Sequence, residues 1–186
     1  MTPIRLVVSD VDGTLVDKEK QLTPATADAV ARLEAQGVPF TIISARPRSG
    51  MMPIADTLGI DRPMGAFNGG TVFTRSGGVI ARHTIDPAVA HGMVALARET
   101  AVDIWVFADD VWYATDGEGA HTRSERVSSN QEPTVVDDVA GLLDEADRAG
   151  WKLIQSLVEC RDASSERCEG VSAAKLLESP WFAVPP

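Results

Sequence analysis

The chain has 186 residues, of which 44% are hydrophobic and 24% charged, and this composition is typical of an ordinary globular protein. Its 27 acidic and 17 basic residues give a formal charge of −10, which argues against nucleic acid or an anionic membrane surface as the main partner. No apolar run is long enough to span a membrane, and the N-terminus lacks a signal-peptide pattern. Cys160 and Cys168 do not form a CxxC pair, so we expect two free thiols in a cytoplasmic protein.

The first predicted elements are a strand, a helix and a second strand. Residues 4–9, IRLVVS, are mostly apolar, which predicts a short strand buried on both faces. A helix is predicted next, with Thr23 as its N-cap, Pro24 in its first turn and Gly37 at its end. The apolar strand VPFTIIS follows directly and stops at Ser44.

The next elements complete a β-α-β-α-β pattern. A helix is predicted from about Pro47 to Leu58, and Pro53 within it is expected to delay its start or to kink it. MGAF predicts a third strand, and TVFTRSGGVIARHTI predicts a hairpin that turns at Ser76-Gly77-Gly78. Such alternation predicts a parallel sheet with right-handed crossovers, in which ligands bind beyond the carboxyl ends of the strands.

Polar residues stand at the end of each of these three strands. Asp10 and Asp12 follow the first strand, Ser44 ends the second, and Asn68 follows the third. A turn alone would explain Asp10 and Asp12, because Asp and Gly are common turn residues. The convergence of three loops on one edge of the sheet favours a metal or phosphate site instead.

The region after Ile85 has a different pattern. It predicts a helix, two strands joined by a tight Asp-Asp turn, a polar loop over residues 115–133, another helix and a last strand. Trp105, Trp112 and Tyr113 are expected to pack this sheet rather than to stack on a ligand. The predicted fold class is therefore α/β, with a Rossmann-like parallel-sheet core over residues 1–85 and an inserted α+β domain over residues 86–186.

Two carboxylates two residues apart at a strand end suit phosphoryl transfer. Neighbouring carboxylates raise each other's proton affinity, so that one can stay ionised while the other holds a proton. The ionised Asp is then a nucleophile, and its neighbour protonates the leaving oxygen and activates water. A hard cation such as Mg²⁺ is needed to offset the repulsion between carboxylate and phosphate. Gly13 lets the backbone approach a phosphate, and Ser44 offers it a hydroxyl.

Five features of the sequence match one known family: DVDGTL, a strand ending in SAR, the flap after the first motif, NGG after the third strand, and the later insertion. With these features the sequence resembles the haloacid dehalogenase-like phosphohydrolases, in particular their Cof-type, large-cap branch. The resemblance implies a Mg²⁺-dependent phosphatase that hydrolyses a small, sugar-phosphate-like metabolite through an aspartyl-phosphate. Asp10 would be the nucleophile and Asp12 the general acid and base, and the Asp10 carboxylate and the Asp12 carbonyl would bind Mg²⁺. The resemblance places these residues around the phosphate: Gly13, Thr14, Ser44, Ala45, Arg46, Asn68 and Gly69.

The resemblance also implies a lysine and a GDxxND motif after the cap, and neither is present in the sequence. We therefore expect a chain truncated at its C-terminus, in which Lys175 is a surface lysine. Arg46 is expected to reach the substrate or to form an exposed salt bridge, and residues 17–20 to form a solvated flap. The competing hypothesis is a non-catalytic fragment that binds phosphate or metal weakly, or associates with another chain through the open edge of its first strand. A phosphoryl-accepting receiver module would not explain the inserted domain.

Overall fold

The computed structural model describes residues 3–100, 102–119, 121–149 and 153–160, which include all the strands and helices below. They divide into two compact units. The first contains the described residues up to Thr84 together with Ser124–Glu132, and the second contains Ile85–Arg123 and the described residues from Pro133 onward. Lys175 and Cys168 lie outside the described residues.

The first unit alternates strands and helices as the sequence predicts, but the prediction of a first strand over residues 4–9 buried on both faces is wrong, because the strand is Val7–Ser9 and Val8 is 53% exposed. Its elements are β1 (Val7–Ser9), α1 (Pro24–Ala35), β2 (Phe40–Ile42), α2 (Arg48–Leu58), β3 (Met64–Ala66), β4 (Thr71–Phe73) and β5 (Val79–Arg82). β1 and β2 are parallel, and a parallel bridge between Ile43 and Gly65 joins β2 to β3. β4 pairs antiparallel with β3 and β5, which forms the predicted hairpin. The α/β fold with a parallel core sheet is confirmed.

The ends of α1 follow from local chemistry. Thr23 is the N-cap, and its side chain accepts the Thr26 N–H at 3.2 Å. Pro24 occupies the first turn, where its missing N–H costs no helical hydrogen bond. Gly37, just past the helix, has a φ of +75°, a conformation that glycine adopts without a steric penalty. Each of these features was predicted from the sequence.

Helix α2 begins at Arg48 and runs through Pro53, so the proline does not delay the start of the helix, as one predicted alternative had it. Because proline has no N–H, the Ser49 carbonyl loses its usual helical partner four residues later. The Asn130 side-chain amide lies 3.5 Å from that carbonyl oxygen. The neighbouring Ser49 hydroxyl donates to the Ser129 carbonyl at 2.6 Å and accepts from the Gln131 amide at 2.6 Å. Polar groups of the distant segment 129–131 therefore form hydrogen bonds with helix α2 near Pro53.

The second unit is an α+β arrangement. Its elements are α3 (Pro87–Thr100), β6 (Val102–Ala108), β7 (Val111–Ala114), β8 (Thr134–Val135), α5 (Val139–Ala149) and β9 (Leu153–Cys160), and α4 (Thr122–Ser129) begins in it. The strand order is β8-β7-β6-β9. Apolar residues of α3, β6 and α5, among them Val94, Ile104 and Leu143, form its core. Trp112 packs edge-on against Trp105 at 5.1 Å, consistent with a packing role.

The prediction of a polar loop over residues 115–133 is wrong, because Thr122–Ser129 forms helix α4. The segment has almost no apolar residues, so its sequence lacks the periodicity that marks a helix. Its single large apolar residue, Val127, is 50% exposed, whereas Ser128 and Ser129 are buried. Polar contacts with the start of α2, rather than an apolar face, hold the C-terminal part of α4.

A close approach at Gly50 gives a test of this packing. An added Cβ at Gly50 would overlap the Ser128 carbonyl oxygen. We expect Gly50→Ala to lower the free energy of unfolding by about 1–3 kcal/mol, as overpacking does. At an ordinary helical position the same change stabilises by about 1 kcal/mol. Urea unfolding measures whether the free energy of unfolding rises or falls. Thr57→Ala, on the exposed side of α2, is the control, and a Gly50→Ala variant that is more stable than the unmodified chain would contradict the close packing at Gly50.

Candidate active site

Backbone hydrogen bonds tie together the loops that follow β1, β2 and β3. The Ile43 N–H donates to the Ser9 carbonyl at 2.9 Å, at the end of β1. The Asn68 N–H donates to the Ser44 carbonyl at 2.7 Å, and the Phe67 N–H donates to the Arg46 carbonyl at 3.1 Å. The three loops therefore meet at one edge of the sheet, where the topology predicts a ligand site.

Asp12 is held by two cations. Arg46 donates from Nε to Oδ2 at 2.8 Å and from Nη2 to Oδ1 at 2.9 Å, in the two-point geometry that makes Arg–carboxylate pairs strong. The Lys20 ammonium donates to the same Oδ1 at 2.7 Å. Hydrogen bonding to Arg46, which outweighs the opposing effect of burial and is helped by Lys20, lowers the pKa of Asp12 to about 2. Asp12 is therefore ionised at neutral pH.

Arg46 is buried, with only 5% of its side chain exposed, so the exposed salt bridge predicted as one alternative is not what forms. Its Nη1 also donates to the Gly50 carbonyl at 3.3 Å, which fixes the guanidinium against the start of α2. Ser44 is buried as well, and its hydroxyl oxygen accepts the Arg46 N–H at 3.2 Å. Ser44 thus orients the residue that binds Asp12.

The surroundings of the Asp10 carboxylate differ from those of the Asp12 carboxylate. It lies directly after β1, its side chain is exposed, and among the described residues its carboxylate forms no ion pair. The Ser9 hydroxyl donates to the Asp10 main-chain carbonyl at 2.9 Å. The carboxylate of Asp10 is therefore accessible to a ligand, while that of Asp12, two residues later, is held by cations.

The other predicted site residues line the same loops. Several have backbone conformations that allow a close approach: φ is +78° at Gly13, +53° at Asn68 and +92° at Gly69. Phe67 has a φ of +52°, which is strained for a bulky side chain, and such strain clusters at functional loops. These predicted residues are exposed: Gly13, Thr14, Ala45 and Asn68.

The residues present can hold a hard cation only in part. Within the described ranges, no three His, Cys, Asp or Glu side chains come together as a metal site. Asp10 offers an open carboxylate, whereas the Asp12 carboxylate is engaged by Arg46 and Lys20, which leaves its main-chain carbonyl as a donor. Mg²⁺ accepts such a site because it retains several waters and uses one or two carboxylates. The donor set fits Mg²⁺, with few protein ligands.

Lys20 is the residue of this site that sequence reasoning missed. The segment around it was predicted to be a solvated flap, yet Val16 bridges to both Asp12 and Leu22, so that the chain turns back toward the motif. The turn between Asp17 and Gln21 then places Lys20 beside Asp12. The apolar Val16 and Leu22 flanking a polar stretch were the available signal for this return.

The Asp12 ion pairs make stability depend on acid pH. The folded-state pKa of about 2 lies below the ordinary value of 3.8, so the stabilisation is present above about pH 4 and is lost as the pH falls through 2. We expect the free energy of unfolding of the metal-free protein to decrease as the pH falls from about 4 to 2. The decrease should be larger for the unmodified chain than for Asp12→Asn, which lacks this carboxylate. Urea titrations at a series of pH values measure this difference, and equal slopes for the two proteins would contradict the ion pairs.

Comparison with known proteins identifies the family. Residues 7–162 match the model of the haloacid dehalogenase-like hydrolases, so the chain belongs to that family. The fold is similar to a haloacid dehalogenase-like hydrolase from B. subtilis, with a TM-score of 0.70, 18% identity and coverage of 83% of this chain and 61% of that chain. The resemblance predicted from DVDGTL and SAR is confirmed.

Two further solved structures carry phosphatase descriptions. One is BT1666 from Bacteroides thetaiotaomicron, described among phosphatases of the superfamily, with a TM-score of 0.60, 23% identity and coverage of 78% of this chain and 55% of that chain. The other is the subclass IIB sugar phosphatase BT4131, with a TM-score of 0.64, 21% identity and coverage of 82% and 57%. These three structures are each longer than the region they share with this chain, which spans 55–61% of their length.

In the described part of the chain, no helix has the length and apolarity needed to cross a membrane.

Proposed function

We propose that this protein is a phosphohydrolase in which Asp10 is the nucleophile. The observation that carries the proposal is the contrast at the end of β1, where Asp10 is exposed and Asp12 is bound by Arg46 and Lys20. Two carboxylates and two cations make the local charge neutral, although the whole chain carries −10. A phosphate ester can therefore approach Asp10 against less repulsion than the overall charge would impose.

The chemistry follows from these groups. An Asp10 carboxylate oxygen attacks phosphorus, the bond from phosphorus to the leaving oxygen breaks, and an aspartyl-phosphate forms. Asp12 donates a proton to the leaving oxygen and later takes one from water as the water attacks phosphorus. The bond from phosphorus to the Asp10 oxygen then breaks, which frees the Asp10 carboxylate and releases inorganic phosphate. Since a pKa of about 2 keeps Asp12 ionised in the free site, this role requires that substrate binding weaken its ion pairs. When bound by the Asp10 carboxylate and the Asp12 carbonyl, Mg²⁺ would neutralise phosphoryl charge.

The proposed substrate is a small phosphorylated metabolite of the sugar-phosphate type. The fold likeness to a sugar phosphatase supports this class. We further propose that the inserted domain, predicted over residues 86–186, is the cap that selects the substrate and that the reaction takes place in the cytoplasm. The proposed phosphate-binding residues are Gly13, Thr14, Ala45, Asn68 and Gly69 of the site loops. Ser44 and Arg46 are also proposed, and binding to phosphate requires these two buried residues to exchange their contacts in the free site.

A second function is favoured by a specific observation. Among the described residues β1 pairs with β2 alone, and the metal donors are few. A protein with those features could bind phosphate or metal weakly without turnover, or act through association with another chain. Turnover of an aryl phosphate distinguishes the two functions, because only the phosphohydrolase releases the aryl alcohol.

Metal dependence tests the proposed chemistry. We expect hydrolysis of an aryl phosphate to stop on chelation and to return on addition of Mg²⁺. With Asp10 and one carbonyl as protein ligands, Mg²⁺ should bind with a dissociation constant well above about 1 µM. This corresponds to a binding free energy less favourable than about −8 kcal/mol. Calorimetry measures this value, and Asp10→Asn is the control for binding at the site. Tight binding, or full activity in the chelator, would contradict the proposed site.

A further inference from the structure

Hydrogen bonds of a tight turn fix the backbone at Lys20. The Asp17 N–H donates to the Gln21 carbonyl at 3.0 Å, the Lys20 N–H donates to the Asp17 carbonyl at 3.1 Å, and the Gln21 N–H donates to Asp17 Oδ1 at 2.8 Å. Lys20 itself has a φ of +62°, in the left-handed region that few L-residues adopt. Its backbone is therefore held beside the site, whereas its four-carbon side chain retains freedom of rotation.

Arg46 is the main charge partner of Asp12, and Lys20 is a second one. Arg46 occupies both carboxylate oxygens of Asp12, and Lys20 is the second donor to Oδ1. The Arg46 side chain is 5% exposed, but that of Lys20 is 29% exposed, so Lys20 is the cation that an incoming anion can reach. Departure of Lys20 would leave Asp12 with its two-point contact to Arg46.

We propose that Lys20 is a phosphate-binding residue, whose ammonium moves from Asp12 to a phosphoryl oxygen when an anionic ligand enters the site. The inference rests on the proposed function, because it takes the ligand to be a phosphate bound beside Asp10. A lysine suits this task, since its ammonium is a point charge with three donors and can exchange one oxygen partner for another. The described part of the chain contains one other lysine, Lys18, two residues away and exposed.

The test measures binding of inorganic phosphate to the full chain by calorimetry in the presence of Mg²⁺. The variants are Lys20→Met, Lys20→Arg, Asp12→Asn and the matched control Lys18→Met. We expect Lys20→Met to weaken phosphate binding by about tenfold or more, the scale of a charge-assisted hydrogen bond. Lys20→Arg should retain most of the affinity, and Lys18→Met should bind as the unmodified chain does.

Asp12→Asn separates phosphate binding from a purely structural role. If Lys20 only supports Asp12, then Asp12→Asn, which breaks the ion pairs with Lys20 and with Arg46 together, should weaken phosphate binding at least as much as Lys20→Met does. If Lys20 binds phosphate, Asp12→Asn removes a competing anion, so phosphate should bind at least as tightly as to the unmodified chain. Circular dichroism melting of each variant confirms that it is folded.

The outcomes also separate this inference from the proposed function. Phosphate binding that depends on Lys20 in a chain without hydrolytic activity would support the inference and contradict the phosphohydrolase. Hydrolysis that depends on Asp10, combined with equal phosphate affinity of Lys20→Met and Lys18→Met, would overturn the inference alone. Absence of measurable phosphate binding by the unmodified chain at millimolar phosphate would also overturn it.

Discussion

Replacement of Asp10 by Asn is expected to abolish hydrolysis of an aryl phosphate. The carboxamide has nearly the shape of the carboxylate but lacks the charge and the nucleophilic oxygen. The rate should fall by at least about three orders of magnitude, the scale on which loss of a covalent nucleophile acts. Because Asp10 is exposed and forms no ion pair among the described residues, the substitution should leave stability nearly unchanged. Steady-state kinetics and urea unfolding measure both effects.

Asp61→Asn is the matched control for this experiment. Asp61 is also exposed, and it follows α2 at the end remote from the loops that meet at the site. It should keep the activity of the unmodified chain. Full turnover by Asp10→Asn, or an equal loss of turnover in both variants, would exclude Asp10 as the nucleophile.

The 186-residue chain is expected to self-associate through β1. Among the described residues this strand pairs on one side with β2 and has no partner on the other. Val8 of this strand is 53% exposed, and Ile4 and Leu6 in the segment just before it are 70% and 49% exposed. Unpaired backbone groups beside an exposed apolar face recruit further strands, by dimerisation or by aggregation. Light scattering after size exclusion should therefore report species larger than a monomer.

A charge on this face should shift the chain toward the monomer. Val8→Lys places an ammonium at the open edge, where it opposes pairing with a second strand. Val127→Lys is the matched control, because Val127 is 50% exposed but lies on helix α4 rather than on a strand. A monomeric unmodified chain, or equal effects of the two substitutions, would contradict association through β1.

Much of the fold was readable from the sequence because its signals are local. Thr23, Pro24 and Gly37 define the ends of α1 by capping and turn chemistry alone. Helix α4 was missed because its stability comes from polar contacts with the start of α2, some eighty residues away in sequence. Pro53 shows the same limit, since the distant Asn130 amide lies within reach of the carbonyl that proline leaves without a helical donor.

The candidate site, like the fold, could be predicted from the sequence only in part. The sequence places Asp10, Asp12, Ser44 and Asn68 at one sheet edge, because parallel topology brings the strand ends together. It does not tell which side chains form ion pairs there. Arg46 was expected at the surface or on substrate but is buried against Asp12, and Lys20 reaches the same carboxylate from the flap. Those contacts depend on loop geometry, which no periodicity in the sequence encodes.

The most direct measurement is mass spectrometry of the protein quenched in acid during turnover of an aryl phosphate with Mg²⁺. Acid quenching preserves an acyl phosphate long enough for the intact protein to be weighed and for its peptides to be sequenced. We expect a mass increase of one phosphoryl group, carried by the peptide that contains Asp10 and absent from Asp10→Asn. Asp12→Asn should retain the label, because Asp12 is proposed to transfer protons rather than to bond phosphorus. A label on any other residue, or steady turnover without a phosphorylated protein, would contradict Asp10 as the nucleophile.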